Sequence, residues 1–174
     1  MLFRSVVRLQ AATAGDMRDL GARVAHHCRA GDVLVLTGDL GAGKTTFTQG
    51  LARGLGISDP ITSPTFVIAR THRHPSGGTD LVHVDAYRLG SRIELDDLDL
   101  DADLDTSVAV VEWGGEFGGL LAVTPLDVCI VRSDAERADG ADGADVSDDV
   151  RIVELQGSSV RWGDLLRELS GQQS

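Results

Sequence analysis

Residues Gly38 to Thr45 read Gly-Asp-Leu-Gly-Ala-Gly-Lys-Thr, and this run restricts the fold more than any other feature of the chain. It meets the pattern G-x-x-x-x-G-K-[ST] in full, and its flanks agree with it. Val33-Leu34-Val35-Leu36 before it is a continuous apolar run, as in a strand buried on both faces. Thr45 to Leu55 after it reads as a helix. Strand, glycine turn and helix in this order form a phosphate-binding loop. Glycines let the backbone wrap a phosphate chain without Cβ clashes and turn its N–H groups inward. The expected nucleotide-binding run is therefore Gly38, Asp39, Leu40, Gly41, Ala42, Gly43, Lys44, Thr45 and Thr46. Lys44 is placed to reach the β- and γ-phosphates, and the Thr45 hydroxyl to ligate Mg²⁺. Lys44 is also the chain's only lysine among 16 cationic residues. A compact ammonium thus stands where a planar guanidinium would fit less well.

The remaining pattern is that of an α/β domain. Arg4 to Gln10 reads as an edge strand. Met17, Leu20, Val24 and Cys28 give a helical stripe from about Gly15 to Arg29. Thr13 fits as its N-cap, with Asp16 completing a capping box. Strands are expected at Thr65–Ala69, Leu81–Val84, Val108–Val111, Leu126–Val131 and Arg151–Leu155, with a hairpin-like turn over His72–Thr79. Val160 to Leu169 reads as a short amphipathic helix. These elements predict a P-loop NTPase-type sheet flanked by helices, one domain spanning 1–174.

The net charge of −11 is concentrated in two segments. Glu94–Asp105 and Asp134–Asp149 hold seven carboxylates each. The second, built on repeated Ala-Asp-Gly, has the composition of a disordered insert. With both set aside the chain is near charge balance, so a phosphate-tracking basic surface is not indicated, and any RNA contact would be local or through a partner. No apolar run is long enough for a membrane span, and the first residues lack a secretory pattern, which predicts a cytoplasmic protein. Cys28 and Cys129 are then expected to be reduced.

Two carboxylates end apolar strands: Asp85 after Leu81–Val84 and Glu112 after Val108–Val111. In open α/β sheets the strand C-termini form the ligand crevice, so both can face the phosphates. Either can serve the metal directly or through water, or act as a local cap. Ser63-Pro64-Thr65 fits a γ-phosphate sensor and equally an ordinary loop leading into a strand. His83, alternating with Val82 and Val84, reads as structural, and Arg88 fits either a phosphate contact or a surface ion pair.

A GTPase is excluded, because there is no asparagine for a guanine-reading N-K-x-D, no second lysine and no D-x-x-G. A small-molecule P-loop kinase is the alternative, but its natural lid, residues 86–107, carries only Arg88 and Arg92 against seven acids.

GDLGAGKTT at 38–46, SPTF at 63–66, His83-x-Asp85-x-Tyr87-Arg88 and Val111-Glu112-Trp113 occur in that order. In these residues the chain resembles the TsaE family, the small bacterial ATPases of tRNA threonylcarbamoyladenosine biosynthesis. The resemblance implies an ATP/ADP- and Mg²⁺-binding protein acting with the TsaB–TsaD heterodimer, which modifies adenosine 37 of tRNAs reading codons that start with A. It implies Thr45 and Glu112 as Mg²⁺ ligands, Lys44, Asp85 and Glu112 as residues needed for hydrolysis, and Ser63 to Phe66, with Thr65, as a nucleotide-sensing loop. It places the Thr13 region near the adenine. The chain departs from the family pattern at Ala86, where a bulkier residue is common, and near Asp99, where a glycine is usual.

Overall fold

A computed structural model of the 174-residue chain describes residues 4–65, 68–89, 91, 94, 97, 103–115, 122, 124–133 and 150–171. Among these, the elements run β1 (Arg4–Ala11), α1 (Ala14–Ala25), β2 (Val33–Thr37), α2 (Lys44–Leu55), β3 (Ala69–His72), β4 (Asp80–Asp85), β5 (Ser107–Glu112), β6 (Leu126–Arg132), β7 (Arg151–Ser158) and α3 (Ser159–Ser170). The strands form one sheet in the order β1-β7-β6-β2-β5-β4-β3. β4, β5, β2 and β6 are mutually parallel; β7 and β3 run against their neighbours.

The strand pattern sorts side chains onto two faces. Leu34, Leu36, Leu81, Val108 and Val110 join the larger core with α1, α2 and α3. Val33, Val35, Val82, Val84, Ala109 and Val111 form a smaller cluster on the other side. With period-two alternation, His83, Asp85 and Glu112 share the face on which α2 lies. All four residues Val33–Leu36 are buried, as the continuous apolar run predicts.

α1 and α2 pack unusually closely. A Cβ on Gly50 would stand 2.0 Å from the Arg18 carbonyl oxygen, and one on Gly21 would stand 2.2 Å from that of Phe47. Glycine is therefore required where the two backbones meet, although it costs up to about 1 kcal/mol of helix propensity. The contact repeats one turn on, from Gly54 to Ala22, so the two helices climb together and lie parallel.

α3 closes the other end of the same core with Trp162 fully buried, its indole N–H donating to the Thr124 carbonyl at 2.9 Å. Arg161 beside it clamps the Asp32 carboxylate and the His27 carbonyl, tying α3 to the turn before β2.

Several boundaries differ from the sequence expectation. α1 has the predicted capping box, with Thr13 Oγ1 accepting from Asp16 N–H at 3.0 Å and Asp16 Oδ2 accepting from Thr13 N–H at 2.9 Å. It ends at Ala25, however, rather than near Arg29. His26, His27 and Cys28 tighten onto carbonyls three residues back, and Asp32 accepts from Arg29 N–H to turn the chain into β2. Burial pushes the Cys28 thiol up to about 12, so it stays protonated.

Of the strand expected at Thr65–Ala69, Ala69 opens β3 and Thr65 and Ile68 lie outside it, while residues 66 and 67 are not among the described residues. Ile68 takes φ +67° and its N–H returns to Pro64 O, while Thr65 turns its hydroxyl to Asp85 instead of joining a ladder. His72 belongs to β3, and the hairpin turn follows it, held by Asp80 accepting from His74 N–H at 2.7 Å and Arg73 at 2.9 Å. Those bonds, the His74 one foremost, hold the Asp80 carboxyl below the usual range. The insert 134–149, Phe66, Asp99 and most of the rest of 94–105 lie outside the described residues.

Candidate nucleotide-binding site

The Gly38–Thr45 loop joins β2 to α2 at the end of the sheet where β4, β5 and β6 also terminate. Gly38 has φ +150°, and a Cβ there would lie 2.4 Å from the Ile130 carbonyl. Gly43, at φ +113°, turns the chain into α2. Both positions exclude a side chain, which is the structural reason for the glycines that the motif demands. Leu40 projects outward, 87% exposed, whereas Ala42 is buried.

Two arginines brace the loop from the β6–β7 hairpin. Arg132 and Arg151 are register partners. Arg151, itself buried, donates from Nε to the Ala42 carbonyl at 3.0 Å, and both reach the Gly41 carbonyl at 3.5 Å. In a trans peptide the N–H opposes its carbonyl, so this hold on Ala42 sends the Gly43 N–H to the opposite side.

Lys44 is 5% exposed. Its ammonium donates to the Gly38 and Asp39 carbonyls at 2.7 and 2.9 Å and lies 3.9 Å from the centroid of the Trp113 ring. Burial lowers its pKa from the ordinary lysine value, against the opposing pull of Glu112, Asp85 and Asp39. Trp113 takes φ +62°, packs against Tyr87 at 5.2 Å and is fixed by its N–H to Leu36 O at 2.9 Å.

Asp85 and Glu112 are direct register partners on adjacent parallel strands. Both are nearly buried, at 4% and 3% exposure. Like charges placed opposite one another in a sheet repel, so each needs compensation. Glu112 Oε1 accepts from Thr45 Oγ1 at 3.1 Å and contacts His83 Nε2 at 2.7 Å. Asp85 Oδ2 accepts from Thr65 Oγ1 at 2.7 Å and Ser63 Oγ at 3.3 Å, while Oδ1 accepts from Tyr87 N–H at 3.0 Å. Asp85 is thus both the cap of the 3-10 turn Ala86–Arg88 and a wall of the site. Arg88 lies exposed in that turn.

A cavity of about 300 Å³ gathers Lys44, Thr45, Thr46, Ser63, Thr65, Asp85, Glu112 and Trp113. A second hollow of about 210 Å³ lies across the loop, lined by Thr13, Ala14, Met17, Gly41–Gly43, Thr46 and Arg151. The described residues of the expected site therefore lie at or beside the loop, Thr13 on the side away from the carboxylates. The hydroxyl and carboxylate oxygens that meet at Thr45 and Glu112 are a donor set suited to a hard cation such as Mg²⁺.

Three residues of this neighbourhood escape a sequence reading. Trp113 shows only as part of a motif, with nothing to indicate that its ring faces Lys44. His83 reads as an alternating strand residue; it contacts Glu112 because β4 and β5 are neighbours. Arg151 has no local signal at all, since its partner lies 109 residues away in sequence.

The family model for "Threonylcarbamoyl adenosine biosynthesis protein TsaE" matches residues 11–139. A Streptomyces coelicolor protein named "tRNA threonylcarbamoyladenosine biosynthesis protein TsaE" is 50% identical over 147 residues, covering 84% of this chain and 93% of its own. A Bacillus subtilis protein of the same name is 44% identical over 156 residues, covering 89% and 88%. The crystal structure of Bacillus subtilis YdiB superposes with a TM-score of 0.71 at 29% identity over 99% of both chains. On the family match over most of the chain and the identity to these relatives, the chain belongs to the TsaE family.

Proposed function

We propose that this chain is a Mg²⁺-dependent ATPase of tRNA threonylcarbamoyladenosine biosynthesis that acts on the TsaB–TsaD complex and does not itself transfer the threonylcarbamoyl group. The observation that carries the reading is the convergence of Thr45 on Glu112 at 3.1 Å beside the buried ammonium of Lys44. In this reading Thr45 and Glu112 hold Mg²⁺, Lys44 and the loop N–H groups bind the phosphates of ATP or ADP, and the Thr13 hollow takes the adenine side. Mg²⁺, when bound, supplies charge neutralisation at the phosphates. Asp85 serves hydrolysis, held by Ser63, Thr65 and the Tyr87 N–H.

Turnover is weak until a partner supplies the missing stabilisation. The arginines nearest the loop, Arg132 and Arg151, are directed at its carbonyls. An activating group provided in trans is typically worth about 10³–10⁵ in rate. The protein works in the cytoplasm and meets tRNA only through the complex; among the described residues no helix is long and apolar enough to cross a membrane.

The test compares protein without nucleotide, with ADP and with ATP in pull-downs probed for TsaB, TsaD and tRNA, alongside ATPase rates with and without the heterodimer. Nucleotide-dependent capture of TsaB–TsaD and a stimulated rate are expected. Unstimulated hydrolysis with no capture, or phosphorylation of a small acceptor, overturns the assignment.

A further inference from the structure

We propose that His83 is the positioning residue for Glu112: its imidazole sets which carboxylate oxygen faces Thr45 and which is left for the metal. This rests on the reading of Glu112 as a Mg²⁺-side residue.

The sheet register creates the contact. His83 on β4 lies opposite Val110 on β5, so Glu112 occupies the diagonal position on the same face. The ring is fully buried, and its Nε2 lies 2.7 Å from Glu112 Oε1. A carboxylate that serves a metal only accepts, so the positioning role requires Nε2 to be the donor. Thr45 donates to that same Oε1. Two donors from different elements thus claim one oxygen, and Oε2 has no protein hydrogen bond among the described residues.

A purely space-filling role accounts poorly for an imidazole here. Nδ1 of His83 is buried with no partner among the described residues. Leaving a polar group so carries a desolvation cost that an aliphatic side chain would avoid. The Glu112 bond is what the ring provides in return. Hydrogen-bond partners of ligating groups typically change metal affinity about 10–100-fold when removed.

The test uses the full-length protein and calorimetry with ADP, titrated in MgCl₂ and separately in EDTA. His83→Leu should raise the Mg²⁺ concentration for half-maximal ADP binding about tenfold. It should leave ADP affinity in EDTA within about twofold, and His83→Gln, which keeps a donor, should recover most of the loss. An unshifted Mg²⁺ requirement in His83→Leu, while Glu112→Gln shifts it, overturns the positioning role alone. An equal loss with and without Mg²⁺ also overturns it, by reducing His83 to a fold residue. No Mg²⁺ shift in Glu112→Gln would bring down the metal reading and this proposal together. Should His83→Leu not fold, ¹⁵N NMR of the unaltered protein decides: a ring protonated at Nε2 supports the role, and a neutral ring protonated only at Nδ1 refutes it.

Discussion

Glu112 and Asp85 face each other across one strand pair, equally buried, yet they are held in opposite ways. Glu112 is fixed from within, by a core histidine and by the first turn of α2. Asp85 is fixed from outside, by hydroxyls of the exposed Ser63 and the half-buried Thr65 and by a backbone N–H of a 3-10 turn. The inner carboxylate depends on elements locked into the sheet and the helix pair. The outer one depends on Ser63 and Thr65 on either side of Pro64, in a loop outside the helices and strands. Ground-state metal binding suits the first arrangement, and a group needed only during turnover suits the second.

The strongest challenge to this contrast removes the cation that both carboxylates share. Lys44→Ala should abolish tight ATP binding, a loss of more than about 100-fold, while circular dichroism stays native; retained micromolar affinity in titration would sink the phosphate-loop assignment. Next, the two carboxylates should separate. Asp85→Asn should keep nucleotide affinity within a few-fold and lose most turnover in the presence of TsaB–TsaD, a loss confined to the transition state. Glu112→Gln should weaken Mg²⁺-dependent binding and hydrolysis together, by about 10–100-fold. Parallel losses of binding, rate and melting temperature in Asp85→Asn would instead leave Asp85 only its capping role and erase the distinction. A smaller effect is expected from Thr65→Val, which deletes the 2.7 Å donor to Asp85: about tenfold in rate, with ADP affinity unchanged by calorimetry. The smallest concerns residues 134–149. Their replacement by a short turn should leave ATP affinity and melting temperature as they were; a drop of several degrees by calorimetric scan would assign them a packing role.

Much of this arrangement was legible in the chain because it is local. The loop, the strand before it and the helix after it are contiguous, and the capping box of α1 spans four residues. Asp85 and Glu112 were legible because each directly follows an apolar run. What escaped depends on pairing between strands distant in sequence. That His83 would meet Glu112, or that Arg151 would reach the loop, requires knowing that β4 adjoins β5 and that β7 adjoins β6. The Thr65–Ala69 misreading has a different origin. β-branched and aromatic residues favour a strand there, but the Thr65 hydroxyl finds a carboxylate to bind and the backbone turns to allow it.

The glycine contacts that force α1 and α2 to run parallel also have an electrostatic consequence. Aligned peptide dipoles leave roughly half a positive charge at a helix N-terminus. Because the helices climb together, both positive ends lie at the Thr13–Gly43 hollow. Side by side, two such dipoles repel, and the close backbone packing holds them against that repulsion. Asp16 offsets the field in the first turn of α1, whereas the first turn of α2 carries no acid. An anion arriving at the loop therefore meets the attraction of two helices, with α2's contribution uncancelled by any acid of its first turn. In the proposed reading, part of the attraction for a polyphosphate is accordingly built into the course of the backbone, before any side chain is counted.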